Sequence, residues 1–350
     1  MILFDCERMR YPYSGFYSYS VHLARALISE SAFHTEPVGI YLPRAARLCF
    51  PEDIPTQEWH HFDKHFMLFN RHVKLFHASN QLSRYIPRRF RMKVLTTVHD
   101  LNYLHTDLPE KSQRNFHLRT RHAIRNSNRI VAISEFARQD ILEHYKLGDR
   151  PVDVVHNGID RYGGPLTAPE TIPEGPFLLS LCRVVLSKNL QTLPALLEKN
   201  DFRLVIAGQE GKDDSSHAAI LQEAERWGVS DRILFTGAVD EPVKHWYLQH
   251  CEAFLFPSLA EGFGLPALEA MQYHKPVFCS DRTSLPEVCG DCAFYFNHDF
   301  EPRAMQEEFE AGMAAFAAGA IPPEKMQAHL DRFTWERAAR QYYAIYEQML

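Results

Sequence analysis

The sequence predicts an α/β protein built from two parallel-sheet domains, each sheet covered by helices. Three observations carry this reading. Apolar strand-like runs alternate with helical stretches, the alternation resumes after a Gly- and Pro-rich break, and 350 residues exceed what one typical core organises. In chain order the first half offers strands at Ile2–Phe4, Pro37–Tyr41, Leu75–Ala78, Val94–Val98, Arg129–Ile133 and Val152–Val155. Helical stretches fall around Tyr17–Ser29, Glu110–Asn126 and Glu135–Tyr145, the last with Ser134 as its N-cap.

Residues 161–176 are rich in Gly and Pro and lack periodicity, so a linker is placed at 163–176. It separates an N-terminal domain, 1–162, from a C-terminal domain, 177–333. The second series runs strand Phe177–Leu181, helix Leu190–Lys199, strand Arg203–Ala207, helix Ser216–Trp227 and strand Ile233–Thr236. Strand Ala253–Phe256, a helix after Leu265 and strand Val277–Cys279 continue it. Residues 334–350 form a last helix capped by Thr334, whose Trp335, Ala338, Tyr342, Ile345 and Met349 make one apolar stripe.

Composition narrows the class. A hydrophobic content of 45% is that of a soluble globular chain, and no apolar run approaches the ~18 residues of a membrane span. Met1–Cys6 reads as a first strand rather than a signal peptide, and seven cysteines, an odd number, argue against a disulfide framework. A reducing cytoplasm is the expected location. Cys289 and Cys292 have zinc-knuckle spacing, but no second pair of matching spacing exists, and both thiols are expected to pack.

The net charge of −6 divides unevenly: residues 1–170 hold 23 Lys and Arg against 18 Asp and Glu, and the remainder holds 15 against 26. Basic residues alternate with Tyr, Ile, Phe and Met between Arg84 and Lys93. Such a stretch suits peripheral contact with an anionic membrane, or an anionic acceptor, and equally a solvated loop before a strand. Nucleic acid is disfavoured, because no recognition motif accompanies the charge.

The most informative stretch is Glu261-Gly-Phe-Gly-Leu-Pro-Ala-Leu-Glu269, with two carboxylates eight residues apart around a Gly-rich turn that opens a helix. Gly262 and Gly264 let the backbone approach a ligand, Phe263 lies between them, and Leu265 and Glu269 share a helix face. Amides at a helix start attract anions, and Pro266 suits the first turn. The stretch resembles the E-x7-E signature of the retaining glycosyltransferases of family 4. The resemblance implies the GT-B fold: two Rossmann-like domains facing each other across a cleft, with the C-terminal helix returning to the N-terminal domain.

Other positions extend the resemblance. Arg183 and Lys188, five residues apart at a strand end, resemble the family's R-x4-K pair that holds the leaving diphosphate; Cys182 stands where relatives usually have Gly. His99, after Thr97 and Val98 at another strand end, resembles the histidine beside the transferred sugar, and Asp100 beside it also suits a cap. Gly15 resembles a first-loop glycine near the donor phosphate, with Tyr17 where relatives often have a second Gly. Val239, after Gly237, is expected to line the base pocket through its backbone. His156–Asp160 reads as a plain turn, and Ser284–Val288 resembles a segment of mannosyl- and rhamnosyltransferases that packs.

The resemblance implies a retaining, metal-independent transfer of a hexose from a UDP- or GDP-sugar to a saccharide or glycolipid, in polysaccharide or lipopolysaccharide synthesis. Arg183 and Lys188 would stabilise the leaving diphosphate, Glu261 would bind the sugar and Glu269 the ribose. No Asp-x-Asp motif stands at a strand end, so no metal or other cofactor is expected. The Ser284–Val288 segment points to GDP-mannose. Competing readings are a nucleotide-sugar epimerase or hydrolase on the same fold, and a non-catalytic glycan-binding or membrane-scaffold subunit.

Overall fold

A computed structural model describes residues 1–11, 15–59, 72–83, 85–87, 92–211 and 215–350. Of the basic stretch from Arg84 to Lys93, Arg84, Arg88, Arg89 and Arg91 therefore lie outside the described residues. The chain divides into two compact units. One comprises residues 1–104, 108–160 and 333–350; the other comprises residues 105–107 and 161–332.

The first unit holds a fully parallel sheet of β1 (Ile2–Asp5), β2 (Val38–Leu42), β3 (Thr56–Glu58), β4 (Leu75–Ala78), β5 (Lys93–Val98), β6 (Arg129–Ala132) and β7 (Val152–Val154). Their order is β3-β2-β1-β4-β5-β6-β7. Strands β1, β2 and β4 are buried at every position, which is why they read as apolar runs without alternation. Helices α1 (Gly15–Ser31), α2 (Glu110–Asn126) and α3 (Glu135–His144) connect them. Ser134 caps α3 by accepting from the Ala137 N–H at 3.1 Å.

The second unit has the order β10-β9-β8-β11-β12-β13, again all parallel. Its strands are β8 (Phe177–Leu181), β9 (Arg203–Ala207), β10 (Ile233–Gly237), β11 (Ala253–Phe256), β12 (Val277–Ser280) and β13 (Phe294–Phe296). Helices α4 (Ser215–Arg226), α5 (Glu241–His250), α6 (Leu265–Met271), α7 (Leu285–Cys289), α8 (Pro302–Ala317) and α9 (Pro323–Leu330) complete it. The helix expected at Leu190–Lys199 is a 3-10 run, Leu190–Leu197. Pro194 lies inside it, where its missing N–H removes a backbone bond and its ring crowds the carbonyl of the preceding α turn.

The final helix, α10 (Trp335–Met349), belongs to the first unit. Thr334 caps it through the Arg337 N–H at 3.1 Å. Trp335, Ala338, Tyr342 and Ile345 of the expected stripe are buried, joined by Ala339, Tyr343 and Tyr346, while Met349 packs at the margin. The tyrosine hydroxyls stay hydrogen-bonded: Tyr346 meets His77 Nδ1 at 2.6 Å, and Tyr342 meets Thr97 at 2.9 Å and Tyr19 at 3.1 Å. Each such ring contributes on the order of 2 kcal/mol through burial. The helix docks on the 156–160 turn, where Ile159 N–H donates to Phe333 O at 3.1 Å. A Cβ on Gly158 would lie 2.3 Å from Trp335 N, so that turn is shaped for the returning helix.

Candidate functional site

In the second unit the chain winds from β8 to β10 on one side, then crosses to lay β11 on the other side of β8. Open α/β sheets bind ligands at such a crevice, outside the carboxyl ends of the strands. Arg183 and Lys188 follow β8, and Glu261 and Glu269 follow β11. Two contacts stitch these loops together: Leu259 N–H donates to Ser187 O at 2.9 Å, and Ser258 Oγ to the same carbonyl at 3.4 Å.

Lys188 forms an ion pair with Glu261, and its Nζ sits 5.5 Å from the Phe256 ring centroid. The Glu261 N–H donates to Thr283 Oγ1 at 3.0 Å. The Ser284 hydroxyl reaches the carbonyls of Glu261 at 2.9 Å and Phe263 at 3.2 Å. Ser284–Val288 thus packs, as expected, and also clamps the turn. Gly264 takes φ +106°, and a Cβ there would lie 2.5 Å from Leu285 Cδ2, so glycine is required. Gly262 and Phe263 are buried. Leu265 opens α6, and Glu269, further along it, pairs with Lys244 at 3.1 Å.

Arg183 is exposed, on a backbone held at both sides: Cys182 N–H donates to Ala207 O and Val184 N–H to Gln209 O, each at 3.0 Å. Burial pushes the Cys182 thiol up to about 11, Glu261 adding to this and Lys188 opposing it, so the thiol is neutral beside the cations. Val239 is half-buried in the turn between β10 and α5. Lys188 and Glu261 are in contact; Arg183 follows β8 and Val239 follows β10, with β9 between those two strands.

In the first unit the equivalent crevice lies between β1 and β4. His99 follows β5, only 7% exposed, between the edges of Phe16 and Tyr19. Its Nε2 lies 2.8 Å from Ser79 O, which only accepts, so Nε2 carries the proton and Nδ1 is left as an acceptor. Burial drives its pKa down to about 4, the Ser79 carbonyl pulling the other way, so the ring is neutral near pH 7. Asp100 Oδ1 accepts from Asn102 N–H at 3.0 Å and caps the next turn. Gly15 opens α1, and a Cβ there would have nothing within 4 Å. Residues 12–14 of its loop lie outside the described residues.

Three residues of the second unit escaped sequence reasoning, as did the clamping role of Ser284. Thr283 and Lys244 act through partners 22 and 25 positions away in sequence, with no periodic signal. Gly208 carries φ +151° where the Cys182 carbonyl crosses it, and only its position after a strand hinted at this. Cys289 and Cys292 are buried and diverge in their contacts, Cys289 meeting Cys279 at 3.9 Å and Cys292 the Lys325 carbonyl at 3.8 Å.

Two doubly wound parallel-sheet units with these loops define the class of GT-B glycosyltransferase folds, and solved structures agree. Sucrose-phosphate synthase of Thermosynechococcus elongatus superposes with a TM-score of 0.75 at 17% identity, over 99% of this chain and 98% of that one. Anabaena HepE, solved in complex with UDP and glucose, gives 0.74 at 17% over 100% and 99%. The model "Glycosyltransferase Family 4" matches residues 19–161 and "Glycosyl transferases group 1" matches residues 186–312. The chain thus carries a family 4 glycosyltransferase domain followed by a group 1 glycosyltransferase domain. The Escherichia coli serotype-specific mannosyltransferase WbdA is 29% identical over 66% of this chain, which spans 30% of that relative's length. The O-antigen chain mannosyltransferase B of Escherichia coli is 24% identical over 99% of both chains.

Proposed function

We propose that this protein is a retaining, metal-independent hexosyltransferase that moves mannose from GDP-mannose to a growing saccharide or glycolipid of a surface polysaccharide. The Lys188–Glu261 ion pair, held at the β8/β11 crevice, carries the reading. Breaking a glycosyl–phosphate bond leaves negative charge on the diphosphate and positive charge on the sugar ring. Arg183 and Lys188 supply fixed positive charge to the first, the work a divalent cation does elsewhere. A bound diphosphate competes with Glu261 for Lys188, which frees the Glu261 carboxylate for hydroxyls of the sugar. Amides of Gly262–Leu265 add donors, Glu269 takes the ribose hydroxyls, and the Val239 backbone borders the base. In the N-terminal unit, His99 accepts a sugar hydroxyl at Nδ1, and Gly15 leaves room for the donor. The leaving phosphate itself takes the acceptor proton.

The mannosyltransferase relatives favour mannose as the sugar. Calorimetric titration of GDP, UDP, ADP and their sugars tests the proposal. GDP and GDP-mannose are expected to bind, and GDP release is expected only with an acceptor saccharide present. A flat response to the whole panel sinks it, and rapid GDP release without acceptor would indicate a hydrolase instead.

We also propose a peripheral contact with an anionic membrane, at the inner face of the cytoplasmic membrane. Among the described residues no helix is long and apolar enough to cross a membrane. Support comes from α2, which holds five Lys and Arg against one acidic residue, Glu110 at its first position. Two adjoining clefts of about 450 and 410 Å³ share Arg121 and Arg125, and Lys146 and Arg150 line the second. Leu118, 49% exposed, offers an apolar side chain beside the cations. Asn128 N–H donates to Val94 O at 2.8 Å, so this face lies at the amino edge of the sheet, opposite His99. Sedimentation with phosphatidylglycerol vesicles is expected to retain the protein, and Arg121→Glu with Arg125→Glu to release it. Equal retention on phosphatidylcholine would refute the contact.

A further inference from the structure

We infer that Lys244 is a positioning residue for nucleotide recognition: it fixes the Glu269 carboxylate and thereby sets the preference for an intact ribose diol. The inference rests on the reading that Glu269 receives the ribose hydroxyls. Asp240 caps α5 by accepting from the Val243 N–H at 3.0 Å, which places Lys244 in the first turn. Its Nζ lies 2.7 Å from Glu241 Oε2 and 3.1 Å from Glu269 Oε1. The two carboxylates differ in setting: the Glu241 side chain is 62% exposed, whereas Glu269 is 18% exposed and Lys244 13%. Burial works against the charge on Lys244, but Glu269 and Glu241 outweigh it and hold the pKa above its ordinary value.

The helix bearing Lys244 is itself anchored. His245 is buried, lies 3.4 Å from Glu241 and 3.0 Å from the Tyr273 hydroxyl, and stacks on Tyr162 at 4.1 Å. The ammonium thus reaches Glu269 from a fixed base. It occupies Oε1, and among the described residues Glu269 Oε2 accepts no hydrogen bond. A carboxylate tied at one oxygen presents the other in a single orientation. A vicinal diol then meets an acceptor whose rotamer freedom is already spent. A Glu269 without Lys244 would sample several rotamers, and ordering one of them would weaken the diol contact specifically.

The test compares the dissociation constants of GDP and 2′,3′-dideoxy-GDP by calorimetry, with UDP and its dideoxy form if UDP is the nucleotide bound. Wild type is expected to favour the ribose form at least roughly tenfold, as charge-assisted hydrogen bonds do. Lys244→Met should lose most of that preference through weaker ribose-form binding, with the dideoxy constant unchanged. Lys244→Arg should restore much of it, and Glu241→Gln should keep it, because neither removes the cation from Glu269. Donor KM should rise in Lys244→Met more than kcat falls. Should Lys244→Met fail to fold, Lys244→Gln is measured in its place. Full preference retained in a folded variant lacking the ammonium, but lost in Glu269→Ala, overturns the role of Lys244 alone. A wild type indifferent to the diol, or a preference that survives Glu269→Ala, overturns the ribose reading of Glu269 as well.

Discussion

Alanine at Arg183 or at Lys188 is expected to lower turnover roughly a hundred- to a thousandfold, the usual effect of removing one donor aimed at developing transition-state charge. The two variants should differ in stability. Arg183 is exposed and makes no ion pair among the described residues, so its loss should leave the melting temperature almost unchanged. Lys188 is 19% exposed beside a Glu261 that is 12% exposed, and removing it strands a partly buried carboxylate. That costs about 1–3 kcal/mol. Lys188→Ala should therefore lose both activity and stability, and Lys188→Ala with Glu261→Gln should regain stability without activity. Steady-state kinetics and thermal denaturation of the three variants separate these effects. Near-normal turnover in either single variant would contradict a diphosphate role for the pair.

How far the sequence revealed this depends on the range of each contact. Chain-local features were legible: the buried strands of both sheets, the capped start of α3, the stripe of α10, and the Glu261–Glu269 run with its Gly-Pro turn. Each leaves a signal within one element, through burial on one face, a cap, or a residue type fitted to one backbone conformation. Features made by pairing distant segments were not legible. Strand β3 has only three residues, of which two are exposed, so it lacks both an apolar run and alternation. Thr283 with φ +54° and the Ser284 clamp become visible only once β12 lies beside β11. The turn at 156–160, read as a plain connection, proved to be the seat of the returning helix because Trp335 is 177 residues beyond Gly158. His99 was placed at the right strand end, but that one ring nitrogen is already committed to Ser79 could not be read from its neighbours.

Gly208→Ala is expected to be the most damaging small substitution in the second unit. A Cβ there would sit 1.9 Å from the Cys182 carbonyl oxygen and 2.7 Å from its carbon, and both are backbone atoms that cannot rotate away. The surrounding ladder is rigid: Cys182 bonds Ala207, Val184 bonds Gln209, and the Gly208 N–H donates to Gly237 O at 2.8 Å. Relief requires β8 and β9 to part at their carboxyl ends, and that movement carries the Arg183 turn with it. With φ at +151° adding strain for any L side chain, the cost is about 3 kcal/mol or more. For a unit of this size that lowers the melting temperature by roughly 6–12 °C. Gly237→Ala is the matched control: its φ is +69° but nothing lies within 4 Å of the added carbon, so only about 1 kcal/mol of backbone strain is expected. Nucleotide affinity should fall with Gly208→Ala and persist with Gly237→Ala, because only the first displaces the backbone that carries Arg183. If the two variants melt together and bind nucleotide alike, the crossing of Cys182 over Gly208 is not what holds that turn in place.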